Sequence, residues 1–338
     1  MLAAILAPAG PTLTPDERAF FRDADPAGYI LFRRNCEDRA QLKALTDSLR
    51  ELHGRADLPI LIDQEGGRVA RMRPPEWPEL PPAGRFAELY RHAPVTAIEA
   101  TRHNAAAIAA LLSEVGINVN CLPLLDVRQE GSSEIMGDRT LGAEPMQVAA
   151  LGRAVLDGLR EGGVLGVIKH MPGHGRAVVD SHETLPVVDA EEEALEIDLE
   201  PFVRLHQTAM GMTAHVVYDA WDRERPASLS PIVIEAIIRG RIGFDGFLMS
   251  DDIGMGALTG GFGERAYGVV AAGCDAALHC SGDMAEMLAL ARDTPALSEA
   301  GARRLASAMA SVDRAIELPD YAAAAQARDA LLASAEKA

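Results

Sequence analysis

Short apolar runs alternate along the chain with longer segments of helical periodicity, and this alternation constrains the fold more than any other feature. Most runs are almost continuously apolar, which is typical of parallel strands covered on both faces. The runs lie at residues 2–7, 28–32, 58–63, 117–124, 164–170, 211–217, 246–251 and 275–280. Eight strand–helix alternations in a chain of 338 residues predict a single (β/α)8 barrel of the TIM type.

The segments between the runs carry the periodicity and the start signals of helices. Apolar residues recur there at intervals of three and four, as in the series Leu42, Leu45, Leu49, Leu52 and the series Val148, Leu151, Val155, Leu159. Thr14 and Ser230 each precede a proline, which predicts a helix N-cap followed by proline at the first helical position. We expect one domain over residues 1–338, with residues 297–338 as an Ala-rich C-terminal helical extension packed outside the barrel.

Charge and cysteine content exclude several classes of partner and compartment. The net charge of −18, from 32 basic and 50 acidic residues, argues against nucleic acid and anionic membranes, because their phosphates require a basic face. No run of about 18 apolar residues occurs, so we expect no membrane insertion. The four cysteines are scattered without a CxxC pair, which indicates a reducing compartment.

The apolar start of the chain admits two interpretations, a short signal segment or a first buried strand. No Lys or Arg precedes Arg18, and the apolar run is near the lower limit of length for a signal segment. We therefore expect a buried strand there and a cytoplasmic protein. We also expect the protein to be a monomer.

Polar residues are concentrated directly after the predicted strands, at the face where barrel enzymes place their active sites. These clusters are Asp63 to Arg71, Asp126, Lys169 to His182, His215, and Asp251 with Asp252. Asp251 and Asp252 are the hardest to explain as ordinary surface acids. Both stand at the end of a fully apolar strand, where burial of a carboxylate without hydrogen-bond partners is costly. We therefore interpret this pair as functional.

The stretch "KHMPGHGRAVVDSHETLP" at residues 169–186 holds three of the nine histidines and supports three interpretations. The first is a barrel metallohydrolase with converging ligands, namely His170, His174, His182, His215 and Asp251. Against this interpretation, there is no HxH pair on an early strand and no HExxH helix. The second is a proton-transfer site, and the third is a polar loop without chemistry.

The proton-transfer interpretation rests on the spacing of Asp180 and His182. In an extended segment, residues two apart point to the same side. The carboxylate could then bond one ring nitrogen of His182, fix its tautomer and stabilise its protonated form, which yields a general acid/base. From the residues alone, this interpretation and the metal site both stay open.

Several motifs together resemble those of family 3 glycoside hydrolases. They are "DQEGGRVARMR", "GDRTLG", "KHMPGHG", "DSHETLP", "TAHVVYDAWDRERPASLS" and "GFDGFLMSDDIGM". The resemblance runs in order from about residue 28 to residue 283 and is most specific to the bacterial single-domain β-N-acetylhexosaminidases of cell-wall recycling. Met171 stands where the family usually has Phe, and "DDIGM" where "DDLSM" is commoner, but neither change removes a chemical group.

The resemblance implies a retaining double displacement through a covalent glycosyl-enzyme. Asp251 would be the nucleophile, and His182 paired with Asp180 the acid/base. Because a nucleophilic carboxylate must stay ionised, we expect its neighbour Asp252 to be turned away into hydrogen bonds and to be structural. Five polar residues would hold the terminal N-acetylglucosamine: Asp63, Arg71, Arg139, Lys169 and His170.

The substrate implied by this family is a muropeptide fragment, N-acetylglucosamine β-1,4-linked to 1,6-anhydro-N-acetylmuramic acid. The resemblance implies no metal and no cofactor. A non-catalytic sugar-binding barrel is the remaining alternative, although such a protein would not need Asp180, His182 and Asp251 together.

Overall fold

The structure is a computed structural model and describes residues 1–129, 131, 136–312 and 319–335. Its strands in chain order are β1 (Leu2–Leu6), β2 (Pro26–Leu31), β3 (Ile60–Ile62), β4 (Val119–Asn120), β5 (Leu165–Met171), β6 (Val187–Val188), β7 (Met210–Thr213), β8 (Val217–Tyr218), β9 (Phe247–Asp252) and β10 (Ala276–Leu278). Eight of them form a closed parallel barrel in the order β1-β2-β3-β4-β5-β7-β9-β10. Each predicted apolar run overlaps one barrel strand, so the (β/α)8 prediction is confirmed.

The remaining two strands form a small parallel sheet outside the barrel. Val187 pairs with Val217 and Val188 with Tyr218, so β6 and β8 join the loops that follow β5 and β7. The predicted strand over 211–217 was too long, because the barrel strand ends at Thr213 and Val217 already belongs to β8. Strands of two residues carry no periodic signal of their own; the equally short β4 was indicated only because it lies within the longer apolar run 117–124.

Helices follow most of the barrel strands and cover the barrel from outside. They are α1 (Pro15–Ala24), α2 (Arg39–His53), α3 (Ala83–Tyr90), α4 (Pro94–Glu114), α5 (Pro145–Glu161), α6 (Glu192–Arg204), α7 (Phe262–Ala271), α8 (Met284–Asp293), α9 (Glu299–Ala310) and α10 (Tyr321–Ala335), with a π-helix at Val233–Arg241. Within the described residues, no helix combines the length and the apolar character that crossing a bilayer requires.

The two predicted N-caps are confirmed. The Thr14 hydroxyl accepts a hydrogen bond from the backbone N–H of Glu17 at 3.2 Å, and the Glu17 carboxylate accepts one from the Thr14 N–H at 2.9 Å. This reciprocal pair is a capping box at the start of α1. The Ser230 hydroxyl accepts from the N–H of Val233 at 3.1 Å, at the helical turn that leads into the π-helix.

The helix α9 closes the end of the barrel at which the strands begin. Arg304 of α9 pairs with Asp245 and Asp275, which directly precede β9 and β10. The apolar side chains of Leu305 and Met309 join the cluster that fills the barrel interior. The helix α9 therefore covers the floor of the barrel and adds apolar side chains to its interior.

The helix α10 packs against the outer helix α4. Arg328 of α10 donates a hydrogen bond to the Asn104 side chain at 3.1 Å, and Ala324 packs on Ala106 and Ala107. Both α9 and α10 fall in the segment 297–338, of which residues 313–318 and 336–338 lie outside the described residues. That this segment is an accessory extension of a single catalytic domain stays a prediction.

Because α9 packs on the floor of the barrel, truncation of a leucine on α9 should destabilise the protein more than truncation of a leucine on the neighbouring helix α8. Leu305 is 6% exposed, whereas Leu288 on α8 is 54% exposed. Leu305→Ala should lower the free energy of unfolding by about 2–4 kcal/mol, because it leaves a cavity beneath the barrel. Leu288→Ala, the matched control, should change it by less than about 0.5 kcal/mol. Urea denaturation measures both, and equal effects would show that α9 does not seal the core.

Candidate active site

A cavity of about 270 Å³ opens where the barrel strands finish. Seven of the eight predicted site residues line it: Asp63, Arg71, Arg139, Lys169, His170, His182 and Asp251. The eighth, Asp180, contacts the ring of His182. The structure thus brings together residues that are up to 188 positions apart between Asp63 and Asp251, as expected for side chains at the ends of parallel barrel strands.

Lys169, at the end of β5, is the centre of a buried ionic network. Its Nζ lies 2.9 Å from Asp63 Oδ1 and 2.9 Å from Glu65 Oε1. The Lys169 side chain is 3% exposed, so its charge depends on these two carboxylates for compensation.

Two arginines complete this network. Arg139 donates from Nε and Nη2 to the two carboxylate oxygens of Glu65, each at 2.8 Å. Arg71 donates to Asp63 Oδ2 at 3.2 Å, and its guanidinium lies over the Phe32 ring. A lone arginine in a loop is usually at the surface, but the Arg139 side chain is only 13% exposed and forms this bidentate pair.

The electrostatics of the network keep both acids ionised. Burial alone would raise the pKa of the Asp63 and Glu65 carboxyls, but the charges of Lys169 and of the arginines outweigh it, so both pKa values lie below their ordinary range. Sequence reasoning did not single out Glu65. Its only signal was its place two residues after Asp63 in "DQEGG", on the strand alternation that turns both side chains to one side.

A second buried acid, Asp126, holds the segment that follows β5. Its Oδ2 lies 2.8 Å from Nδ1 of His170, and its Oδ1 accepts from the backbone N–H groups of His170 and His174, at 3.2 and 2.6 Å. Asp126 is fully buried. Burial raises its pKa, but the imidazole of His170 more than offsets this effect and brings the pKa to about 2. The sequence placed Asp126 after a strand but gave no reason to select it.

The predicted Asp180–His182 pair is formed, but by a different backbone geometry. Asp180 Oδ1 lies 2.8 Å from His182 Nδ1 and also accepts from the His182 backbone N–H at 2.8 Å. The expectation of an extended segment was wrong, because the N–H groups of Glu183 and Thr184 both bond the Asp180 carbonyl and close a turn. In this turn the carboxylate bonds the backbone two residues on, as aspartate side chains commonly do.

The turn that carries His182 is docked against the segment that follows β9. The N–H of Gly256 donates to the His182 carbonyl at 3.1 Å, and that of Ala257 donates to the Ser181 carbonyl at 3.2 Å. A side chain at Gly256 would bring its Cβ within 2.7 Å of the Glu183 carbonyl oxygen, so only glycine allows this approach. The His182 side chain remains 62% exposed and is accessible from the cavity.

The adjacent acids Asp251 and Asp252 occupy different environments. Asp252 Oδ1 accepts from the backbone N–H groups of Gly254 and Cys280, at 2.9 and 3.2 Å. Burial and the charge of Asp251 raise the pKa of Asp252. Burial also acts to raise the pKa of Asp251, but the imidazoles of His170 and His215 outweigh it, so the pKa of Asp251 is lowered. The two carboxyls are thus electrostatically distinct.

His215 is fully buried beside this pair. Its Nδ1 lies 2.7 Å from the Ser228 hydroxyl and its Nε2 lies 3.0 Å from the Asp252 carbonyl oxygen. Both ring nitrogens therefore have partners within the protein, as is typical of a structural histidine. Burial lowers the pKa of His215.

The histidines proposed as metal ligands do not converge. Each has a separate partner: Asp126 for His170, Ser181 for His174, and Asp180 for His182. Within residues 1–129, 131, 136–312 and 319–335, no group of three His, Cys, Asp or Glu side chains is placed so that it could hold a metal ion.

Comparison with known protein families gives one match that spans most of the chain. The model of the glycosyl hydrolase family 3 N-terminal domain matches residues 9–318. A beta-hexosaminidase of Methylococcus capsulatus is 39% identical over 333 residues, which cover 97% of this chain and 94% of that protein. A beta-hexosaminidase of Chromobacterium violaceum is 37% identical over 326 residues, 94% of this chain and 90% of the relative.

Solved structures show the same architecture. NagZ from Neisseria gonorrhoeae, crystallised in complex with N-trifluoroacetyl-D-glucosamine, superposes with a TM-score of 0.84 at 31% identity. The superposition covers 98% of this chain and 96% of that one. The resemblance that the motifs indicated is thus confirmed along almost the whole chain.

The buried network predicts that the charge of Lys169 is essential for stability. Lys169→Met removes the cation but keeps most of the volume, and it leaves the Asp63 and Glu65 carboxylates partly uncompensated. The free energy of unfolding should fall by about 3–5 kcal/mol, as when one partner of a buried ion pair is lost.

A surface lysine provides the matched control for this variant. Lys43 pairs with Asp47 on the exposed face of α2, and Lys43→Met should cost only about 0.3–0.5 kcal/mol. Urea titrations of both variants compare the two losses directly. If Lys169→Met were as stable as Lys43→Met, the ionic network would not be what stabilises the end of the barrel at which the strands finish.

Proposed function

The chain belongs to glycosyl hydrolase family 3 and is a β-N-acetylhexosaminidase, and we propose that it removes terminal N-acetylglucosamine from muropeptide fragments through a covalent glycosyl-enzyme. The proposed substrate is N-acetylglucosamine β-1,4-linked to 1,6-anhydro-N-acetylmuramic acid. The observation that carries the proposal is the placement of three elements around one cavity: an ionised Asp251, the His182 ring bonded to Asp180, and the ionic network of Lys169.

The ionic network supplies the groups that hold the sugar. Carboxylates accept hydrogen bonds from sugar hydroxyls, and lysine and arginine donate them. Asp63, Arg71 and Lys169 already compensate one another, so they can exchange part of their mutual bonding for sugar hydroxyls without leaving a bare charge. In this assignment, His170 and Arg139 complete the set around the N-acetylglucosamine ring.

The first step forms the covalent intermediate. A carboxylate oxygen of Asp251 attacks the anomeric carbon, and the bond between that carbon and the leaving oxygen breaks. The leaving oxygen takes a proton from Nε2 of His182, the ring nitrogen that Asp180 leaves available.

The second step releases the sugar and restores the enzyme. Water attacks the anomeric carbon as Nε2 of His182 takes its proton, and the ester bond to Asp251 breaks. Two displacements at the same carbon give net retention of the β-configuration. No metal or cofactor takes part in either step.

A histidine in place of the usual second carboxylic acid suits the proposed leaving group. The muropeptide aglycone carries carboxylates, and a deprotonated glutamate would repel them, whereas a deprotonated histidine is neutral. The proposed setting is the cytoplasm and the proposed form is a monomer. The four cysteines are free thiols, as a reducing compartment requires.

The nucleophile can be identified by trapping. A fluorinated N-acetylglucosamine analogue that slows breakdown of the intermediate should leave one sugar attached to Asp251, located by peptide mapping. A strong chelator added to the same reaction should change neither the rate of labelling nor the residue that is labelled. Attachment to Asp252 would mean that Asp252, and not Asp251, is the nucleophile. An oxazoline product without a protein adduct would mean that the acetamido oxygen of the substrate is the nucleophile.

The acid/base role of His182 predicts a dependence on the leaving group. His182→Gln should slow substrates with poor leaving groups by about 10²–10⁴-fold, because general acid catalysis is lost. Formation of the intermediate from an activated dinitrophenyl glycoside, which departs without protonation, serves as the internal control and should change little. Asp180→Asn should cause a milder loss with an altered pH profile. Equal losses for both leaving groups would contradict the assignment.

A further inference from the structure

His174 reaches across the loop that follows β5 to the acid/base turn, residues 180–184. Its Nε2 lies 3.2 Å from the hydroxyl oxygen of Ser181. Ser181 stands between Asp180 and His182, the two members of the proposed proton-transfer pair. Both His174 and Ser181 are buried, whereas the His182 side chain is exposed. A buried hydrogen bond therefore joins the beginning of the loop to the turn that carries the acid/base.

The position of His174 is fixed by contacts that do not involve the acid/base turn. Its backbone N–H donates to Asp126 Oδ1 at 2.6 Å, and its ring stands edge-on to the ring of His170, with centroids 5.7 Å apart. The carbonyl of the preceding residue, Gly173, accepts from the Tyr218 hydroxyl at 2.7 Å. The His174 ring is therefore a firmly anchored group against which the acid/base turn can be held.

The surroundings of the His174 ring indicate which of its nitrogens carries the hydrogen. Nδ1 is buried and has no hydrogen-bond partner among the residues that the structure describes. A buried N–H group without a partner is rare, whereas a buried acceptor without one is tolerated more often. The hydrogen therefore belongs on Nε2, which donates it to the Ser181 hydroxyl. Burial lowers the pKa of His174 to about 4, so the ring is neutral near pH 7.

The acid/base turn is thus held from two sides. On one side, two backbone N–H groups of the segment after β9 bond the Ser181 and His182 carbonyls, at 3.2 and 3.1 Å. On the other side, the His174 ring bonds the Ser181 side chain. Both restraints act on Ser181, directly before His182. A shift of Ser181 would therefore displace the His182 ring and its Nε2, which must reach the leaving oxygen.

We propose that His174 is a positioning residue: through the Ser181 hydroxyl it fixes where the acid/base turn lies, and it thereby directs Nε2 of His182 toward the leaving oxygen. The inference rests on the proposed function, in which His182 protonates that oxygen. Asp180 bonds the His182 ring itself, whereas His174 acts on the residue before it. His174 lines the cavity, but no proton passes through its ring in this assignment.

The test compares two substitutions of Ser181 that have the same shape. Threonine keeps the hydroxyl and valine replaces it by a methyl group, so the steric effect of branching is common to both variants. The measurement is kcat/KM for two β-N-acetylglucosaminides, one with an aliphatic alcohol as a poor leaving group and one with dinitrophenol, which departs without protonation. With the alcohol, Ser181→Val should be slower than Ser181→Thr by about 10–100-fold, because a misplacement of about 1 Å can cost about 10²-fold. With dinitrophenol the two variants should be nearly equal.

A double-mutant cycle tests whether His174 and Ser181 act as one unit. His174→Leu removes the ring nitrogens and should slow the alcohol substrate by a factor similar to that of Ser181→Val. The protein with both substitutions should be no slower than the slower single variant, because the two changes remove the same hydrogen bond. If His174→Leu does not fold, the two Ser181 variants, which leave the His174 ring in place, decide the question by themselves.

Three results would overturn the inference: equal rates of Ser181→Val and Ser181→Thr with the alcohol, an equal loss with both leaving groups, or losses that multiply in the double variant. A general loss of structure would give the second result, because it slows both substrates alike. The His182→Gln variant tests the proposed function separately. If it depends on the leaving group and the Ser181 variants do not, the inference alone fails. If it shows no such dependence, the proposed acid/base role fails and this inference fails with it.

Discussion

The arrangement of this site depends on the compensation of charge around Lys169. An ammonium group removed from water costs several kcal/mol unless partners replace its hydration, and here Asp63 and Glu65 each approach within 2.9 Å. These partners come from the segment after β3, while Lys169 itself lies near the end of β5 and Arg139 reaches Glu65 from a distant loop. The network therefore fixes these three segments of the chain relative to one another, and the cavity is already formed before a sugar binds.

The loop after β5 is fixed at its beginning by close packing and at its end by hydrogen bonds. A Cβ at Gly175 would lie 1.9 Å from the Val127 carbonyl oxygen, and one at Gly173 would lie 2.9 Å from the Asp198 Cβ. Only glycine permits these approaches, so the beginning of the loop lies tightly between the segment after β4 and helix α6. The end, with Asp180 and His182, is held by a turn and by two backbone bonds to residues 256 and 257.

The elements that the sequence predicted well are those with a local signal. Barrel strands showed as apolar runs, and Thr14 and Ser230 as caps, because strand burial and capping involve residues close in the chain. Glu65 and Asp126 were not selected, because nothing local distinguishes a buried acid from a surface acid. Their importance arises from hydrogen-bond partners more than forty residues away. Asp180 and His182 were paired correctly although the segment is a turn, since both geometries bring residues two apart into contact.

The contrast between Asp251 and Asp252 shows why position in the chain alone could not assign their roles. Both leave the same strand, and two neighbouring carboxylates raise each other's cost of ionisation. The structure separates them by surroundings: Asp252 bonds two backbone N–H groups yet its pKa is raised, whereas the pKa of Asp251 is lowered beside His170 and His215. When two adjacent acids compete, the one whose pKa is lowered by its surroundings retains its charge and the other takes up a proton more readily. This difference supports the proposal that Asp251 is the nucleophile, while Asp252 bonds the backbone beyond the strand end.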